Sequence, residues 1–103
     1  MAKFLFVYHG GKMPETQEEG QRVMERWMTW MGGMGDAVVD GGNPVGMSRT
    51  VYADRVVDDG GSNPTSGYGI FSSDSMDAAV EMANGCPILQ MDGSVEVAEI
   101  HEM

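Results

Sequence analysis

The sequence predicts a single α+β domain whose elements follow the order β-α-β-β-α-β. Three observations lead to this prediction. An aromatic and aliphatic run opens the chain at residues 3–9, an alternating run closes it at 94–100, and two segments with helical spacing of apolar residues lie between them, at 16–34 and 74–83. A chain of 103 residues suffices for one hydrophobic core but not for two. We therefore expect residues 1–103 to form one domain.

The first strand is predicted from KFLFVYH, residues 3–9, because aromatic, leucine and β-branched side chains favour extended structure and the glycines that follow favour a turn. Successive side chains point to opposite faces of a strand. Both faces are apolar here, with Phe4, Phe6 and Tyr8 on one and Leu5 and Val7 on the other. We therefore expect this strand to be central in its sheet and covered on both sides.

The first helix is predicted to begin after Thr16. Thr16 and Glu19 have the spacing of a capping box, in which we expect Glu19 to reach back to the amide of Thr16. Apolar residues then recur at steps of three and four, which favours core or dimer packing over a ligand cleft: Val23, Trp27, Trp30, Met31 and Met34. The helix is predicted to stop at one of three glycines: Gly32, Gly33 or Gly35.

Two further strands are predicted in the middle of the chain. DAVVD, residues 36–40, and RTVYADRVV, residues 49–57, are separated by turn formers and are expected to be neighbours in a meander or hairpin. Residues 58–67 contain no apolar side chain. They are predicted to form the longest loop of the domain, and a mobile one.

A strand at 68–72 then leads into the second helix, which we expect Asp74 to cap. Asn84 and Gly85 predict a left-handed exit from this helix, and Pro87 prevents its continuation. The final strand follows at residues 94–100.

Apart from one additional strand between the helices, this order is that of a ferredoxin-like fold, with an antiparallel sheet and both helices on one face. Two helices cover only one face of such a sheet, whereas the first strand is apolar on both. Something else must cover the second face, and the simplest candidate is another copy of the chain, packed sheet to sheet about a two-fold axis. We therefore expect a homodimer.

Several fragments carry a family resemblance. They are GYGIF at 67–71, SMDAAVEMA at 75–83, GCP at 85–87, GSVEV at 93–97 and the opening KFLFVYHG at 3–10. Together they resemble the YCII-related proteins, including the DGPF branch. The resemblance implies a ferredoxin-like subunit that pairs into a dimeric α+β barrel.

The chain departs from that family at two places. Where the DGPF branch has Asp-Gly-Pro-Phe, this chain has Asp-Gly-Gly-Ser at 59–62. Some YCII-related enzymes pair a histidine of the first helix with a strand aspartate for eliminations on aromatic substrates. The first helix here, at 16–34, contains no histidine, so that dyad is absent in that form.

The composition excludes some partners. Sixteen acidic residues against six basic ones give a net charge of −10, and the basic residues are scattered along the sequence. Nucleic acid and anionic membrane surfaces are therefore disfavoured as partners. The opening apolar run is too short to span a bilayer and does not resemble a signal peptide. One cysteine, Cys86, leaves no internal disulfide. We expect a cytosolic protein.

His9 is the main candidate for chemistry, because it ends the first strand beside two glycines that leave room for a ligand. It can act as a general acid or base if an acid such as Asp40 or Asp54 holds it in one tautomer. The alternative is a polar strand end satisfied by backbone or water.

Five residues are candidates for ligand binding: Tyr8, Arg49, Tyr52, Arg55 and Tyr68. An arginine on a sheet face can bind a carboxylate through two hydrogen bonds. Equally, these arginines can offset the acids of the chain itself.

No metal or cofactor site is predicted. The histidines, Cys86 and the acids show no ligand-like spacing, and the glycine pairs lack the pattern of a phosphate loop. His101 lies among glutamates, as in a solvated tail. Because Cys86 follows a helix C-terminus, its thiol pKa is expected to be raised.

The sequence thus predicts a homodimer that binds a small aromatic or carboxylated metabolite in a cleft between its subunits, with His9-based lyase or isomerase chemistry. The competing prediction is a non-catalytic module for ligand sensing or protein interaction. A carboxylate that contacts His9, with both side chains facing a concave pocket, favours the enzyme. A His9 capped by backbone on an open surface favours the binding module.

Overall fold

The computed structural model describes residues 1–103 and contains six strands, two α-helices and two short 3₁₀ segments. In chain order these are β1 (Ala2–Gly10), α1 (Gln17–Met34), the first 3₁₀ segment (Gly35–Ala37), β2 (Val38–Asp40), β3 (Thr50–Val51), β4 (Val56–Val57), β5 (Thr65–Ser73), α2 (Met76–Ala83), the second 3₁₀ segment (Pro87–Met91) and β6 (Gly93–Glu99). The chain is therefore α+β.

Four strands form one antiparallel sheet in the order β2-β5-β1-β6. β1 is a central strand, as its two apolar faces predicted. Across the central pair, Leu5 lies opposite Ile70 and Val7 lies opposite Tyr68. An antiparallel sheet with two helices is compatible with the predicted ferredoxin-like fold.

One face of this sheet carries the hydrophobic core. Phe4, Phe6 and Tyr8 of β1 and Phe71 of β5 are buried there. The ring centroids of Phe6 and Phe71 lie 4.4 Å apart. Tyr8 meets Trp27 of α1 edge to face at 4.9 Å, a favoured geometry for aromatic pairs. The side chains on one face of β1 thus form an aromatic layer of the core.

Both helices pack on the core face. α1 contributes Trp27 and Trp30, and α2 contributes Ala79 and Ala83, which are buried. The indole Nε1–H of Trp30 donates to the carbonyl of Met82 at 3.0 Å and so links α1 to α2. Neither helix has the length and hydrophobicity that crossing a bilayer requires.

No helix covers the opposite face of the sheet. We call this surface the open face, and it presents five apolar side chains: Leu5, Val7, Tyr68, Ile70 and Ala98. Each is only partly buried, and none belongs to the core cluster. The molecule is correspondingly flat, with extents of 44 × 43 × 18 Å.

The predicted strand at residues 49–57 is wrong. Only β3 and β4 are extended there, and they pair with each other as a hairpin outside the main sheet. The amide of Tyr52 donates to the carbonyl of Arg55 at 2.7 Å, which closes the reversal between them. β-Branched residues favour extended structure locally but do not reveal such a reversal. The predicted loop at 58–67 is also shorter, because β5 begins at Thr65.

α1 begins as predicted, since the hydroxyl of Thr16 accepts from the amide of Glu19 at 3.1 Å. The Glu19 carboxylate, however, accepts from the amide of Glu15 at 2.9 Å instead of from Thr16. The helix ends at Met34, and Gly35 follows with a φ of 53°, so the third of the three candidate glycines stops the helix.

The predicted cap and exit of α2 are both wrong. Ser75, not Asp74, caps the helix, because its hydroxyl accepts from the amide of Ala78 at 3.1 Å. Asn84 has a φ of −59°, and Gly85 is not left-handed either. The chain instead turns tightly into the second 3₁₀ segment, which Pro87 opens.

Candidate functional site

Both ring nitrogens of His9 are hydrogen-bonded. Nδ1–H donates to the carbonyl of Pro64 at 3.2 Å, and Nε2–H donates to Oε1 of Glu96 at 2.8 Å. Strand register explains the pair: Val7 lies opposite Glu96, so His9, two residues further along the same face, is a diagonal neighbour of that carboxylate. The His9 side chain is 10% exposed, whereas that of Glu96 is 62% exposed. The pair therefore lies beside the open face.

The two acceptors around His9 favour its charged form. A carbonyl oxygen and a carboxylate oxygen only accept, so both hydrogen bonds form together only when each ring nitrogen carries a hydrogen. The hydrogen bond to Glu96 raises the pKa of His9 above its ordinary value, burial opposes this, and the Pro64 carbonyl adds to the rise. Neither nitrogen is left free to take a proton from a ligand.

The raised pKa of His9 predicts a pH-dependent contribution to stability. Because the folded protein binds the His9 proton more tightly than the unfolded chain, this contribution is full below the unfolded pKa of about 6.5 and is lost as pH rises through the higher folded pKa. Exposure of Glu96 limits its size to about 1 kcal/mol. We expect His9→Gln to lower the free energy of unfolding by that amount at pH 6 and by progressively less at higher pH.

Urea unfolding between pH 5.5 and 9, at one protein concentration, measures this difference. Glu96→Gln should remove the same pH-dependent contribution from the free energy of unfolding. His101→Gln is the matched control, because the side chain of His101 is 83% exposed and contacts Glu99 only at 3.7 Å. If the difference in free energy of unfolding between the wild type and His9→Gln instead grew with pH, the result would contradict the ion pair.

The structure brings neither Asp40 nor Asp54 to His9. Oδ1 of Asp40 accepts from the amide of Gly42 at 2.9 Å, and Asp54 pairs with Arg55 at 3.0 Å. Sequence reasoning missed Glu96 as the partner. The available signal was the alternation of SVEVAEI, which places this glutamate on the face opposite its valine neighbours.

A cavity of about 340 Å³ lies between α1 and the sheet, and we call it the α1 cavity. α1 supplies Val23, Trp27 and Met31, while Tyr8 and Ile88 contribute from the rest of the core. No charged residue lines it. The α1 cavity is therefore an apolar pocket with aromatic walls.

The loop after β2 closes one side of the α1 cavity. The amide of Tyr68 donates to the carbonyl of Asn43 at 3.3 Å, and the amide of Val45 donates to the carbonyl of Ser66 at 3.0 Å. Gly42 has a φ of 71°, and a Cβ there would overlap the carbonyl oxygen of Tyr68. Glycine thus allows this loop to lie directly against β5.

Two buried hydroxyls of residues that line the α1 cavity have no hydrogen-bond partner: those of Tyr8 and Ser66. Ser66 occupies a bulge, since Tyr8 pairs with Gly67 and His9 with Thr65. Burial raises the pKa of Tyr8, so its hydroxyl stays protonated. An unpaired buried hydroxyl costs about 1–3 kcal/mol. Two residues of the cavity wall therefore carry buried hydroxyls that have no partner in the structure.

The predicted ligand-binding residues divide into two groups. Tyr8 and Tyr68 line the α1 cavity, although strand register places the Tyr68 side chain on the open face, so Tyr68 contributes its backbone. The other three lie on or beside the β3–β4 hairpin, where Arg55 stacks 4.1 Å from the ring centre of Tyr52 and Arg49 pairs with an aspartate at 3.3 Å. The structure does not bring that group to the cavity.

Cys86 is a buried free thiol. Burial raises the pKa of Cys86 to about 11, partly offset by a hydrogen bond from the backbone at Ile88. The thiolate that nucleophilic catalysis requires is therefore scarce at neutral pH. No group of three or more histidine, cysteine or acidic side chains converges in the structure.

Comparisons with protein-family models, curated proteins and solved structures each find no match to this chain. The resemblance to the YCII-related proteins stays a prediction. The functional argument therefore depends on the geometry of the chain itself.

Proposed function

We propose that this protein is a homodimer that binds a small, uncharged aromatic metabolite in the α1 cavity of each subunit. The observation that carries the proposal is the cavity itself. Its volume of about 340 Å³ lies within the range of small-molecule sites. The rings of Tyr8 and Trp27 meet edge to face at its wall, which suits a flat aromatic ligand.

The lining favours an uncharged ligand over a carboxylated one. No lysine, arginine or histidine lines the cavity, and the chain carries a net charge of −10. A carboxylate that entered would lose its hydration without gaining a cation, at a cost of several kcal/mol. Of the two ligand classes that the sequence predicts, aromatic and carboxylated, the cavity favours the aromatic one. The predicted cleft between the subunits is a different place from the α1 cavity, and it stays a prediction.

The accessible surface area of the chain supports the homodimer. A compact folded monomer of 11.1 kDa exposes about 5,700 Å², whereas this chain exposes 7282 Å². The excess is roughly 1,600 Å² per chain, or about 3,200 Å² for two chains. That total is of the size that obligate homodimers bury. Pairing through the open face would produce the dimeric α+β barrel that the family resemblance implies.

Acid–base catalysis is the second candidate function, and the 2.8 Å contact between His9 and Glu96 favours it. In that case the buried His9 would hold Glu96, and the exposed Glu96 carboxylate would exchange a proton with a substrate enclosed between the sheets, as in a lyase or isomerase. Ligand binding ranks first because neither His9 nor Glu96 lines the α1 cavity, whereas catalysis requires both side chains to face a concave pocket. The hydrogen bond from His9 to the backbone carbonyl of Pro64 is also the arrangement expected of the non-catalytic binding module.

Titration with p-cresol tests the binding function. Trp27 is one of only two tryptophans, so occupancy of the cavity should change tryptophan fluorescence excited at wavelengths that p-cresol does not absorb. Binding to the folded state should also raise Tm. We expect Val23→Phe, which fills the cavity, to weaken binding at least about tenfold, equivalent to 1.4 kcal/mol.

Met28→Phe is the matched control, because Met28 lies on the same helix, is 70% exposed and does not line the cavity. It should bind p-cresol as the wild type does. 4-Methylcyclohexanol, of similar size, should bind more weakly if the aromatic walls contribute. Equal affinities for wild type and Val23→Phe would reject the α1 cavity as the site.

A further inference from the structure

Half of the basic residues of the chain come together in the fold. The chain has six lysines and arginines, and Lys12, Arg22 and Arg26 line one cavity of about 340 Å³. α1, the segment after β1 and the second 3₁₀ segment form its walls, and we call it the cationic cleft. It is separate from the α1 cavity, although Val23 lines both.

The three cations have little compensation from acids of the chain. Arg22 and Arg26 are one helical turn apart on α1, where like charges destabilise a helix by a few tenths of a kcal/mol. Arg22 reaches Glu18 only at 3.9 Å, and neither Lys12 nor Arg26 makes an ion pair. With 16 acidic residues in the chain, unpaired cations at one place require an explanation.

The rest of the lining leaves the cleft positive. Glu15 and Glu19 also line it, but the Glu19 carboxylate is held at the start of α1 by the amide of Glu15, at 2.9 Å. Gln90 adds an amide donor, and Val23 and Met91 add apolar surface. The cleft therefore offers three cationic groups and a neutral donor against two carboxylates, one of them already engaged.

We propose that the cationic cleft binds a small oxyanion, the phosphate or carboxylate group of a metabolite. Guanidinium groups bind such oxyanions through paired, charge-assisted hydrogen bonds, and lysine adds a point charge. The field of a chain with net charge −10 repels anions in general, so an anion would bind only where cations are concentrated. This site does not depend on the ligand proposed for the α1 cavity.

Isothermal titration calorimetry with inorganic phosphate, and separately with acetate, tests the cationic cleft. Chloride should hold ionic strength constant, because exposed charges are screened by salt. We expect saturable binding of at least one of the two anions, with one site per chain. Arg26→Ala and Lys12→Ala should each weaken that binding at least about tenfold.

Arg55→Ala is the matched control, since Arg55 lies on the hairpin and outside the cleft. It removes the same charge and should leave affinity unchanged, and circular dichroism should show that every variant is folded. Preference for phosphate or for acetate identifies the anion class. No saturable heat with either anion, or an equal loss in Arg55→Ala and Arg26→Ala, would overturn the proposal.

Discussion

Replacing Gly42 by alanine is expected to lower the free energy of unfolding by about 3 kcal/mol and to abolish p-cresol binding. A left-handed φ of 71° costs a residue with a Cβ about 1 kcal/mol, and that Cβ would overlap the carbonyl of Tyr68. The loop must then leave β5. Its two backbone hydrogen bonds, from Tyr68 to Asn43 and from Val45 to Ser66, contribute about 1 kcal/mol each.

Urea unfolding and p-cresol titration measure both effects. Gly33→Ala is the control, because Gly33 lies in α1 and a Cβ there would meet nothing within 4 Å. Alanine has a higher helix propensity than glycine, so the free energy of unfolding of this variant should rise by about 0.5–1 kcal/mol. It should bind p-cresol as the wild type does. A Gly42→Ala protein as stable as the wild type would show that the loop does not lie against β5.

Replacing Val7 by glutamate is expected to convert the proposed homodimer into a folded monomer. Val7 is in a central strand of the open face, directly opposite Glu96. Burying a charge at an interface costs several kcal/mol, and two-fold symmetry places the new charge there twice, so we expect the dimer to weaken at least about a thousandfold. Repulsion from Glu96 adds to this effect.

Sedimentation equilibrium at micromolar concentration gives the mass, and circular dichroism shows whether the variant is folded. Ile70→Lys, on the neighbouring strand of the same face, should act similarly with the opposite charge. Met28→Glu adds the same charge as Val7→Glu at an exposed position of α1 and should remain dimeric. A wild type that sediments at the single-chain mass of 11.1 kDa would refute the homodimer.

The sequence predicts the parts of the fold that depend on residues close together along the chain. Alternation in β1 correctly indicates a central strand with two apolar faces, and Thr16 correctly indicates the start of α1. Local preference fails where the chain reverses: residues 49–57 have strand composition, yet they form a hairpin outside the sheet. That reversal depends on contacts which local propensity does not encode.

The candidate sites depend on contacts between residues far apart in the chain. His9 and Glu96 meet only because β1 and β6 pair in one particular register. Lys12 lines the same cleft as Arg22 and Arg26, because its amide donates to the carbonyl of Met91 at 2.6 Å and so holds the segment after β1 against the second 3₁₀ segment. In the sequence these cations appear scattered, and only the four-residue step between the arginines indicates a shared face.

Chemical-shift mapping by ¹H–¹⁵N NMR, with p-cresol added to the wild-type protein, tests the central claim most directly, because it locates the ligand and detects binding at the same time. We expect the largest shifts at the indole N–H of Trp27 and at the amides of Gly41, Gly42 and Gly67, all of which line the α1 cavity. Shifts centred on Val7, Ile70 and Glu96 would instead place the ligand between the sheets. That result, or the absence of any shift, would contradict the proposed site.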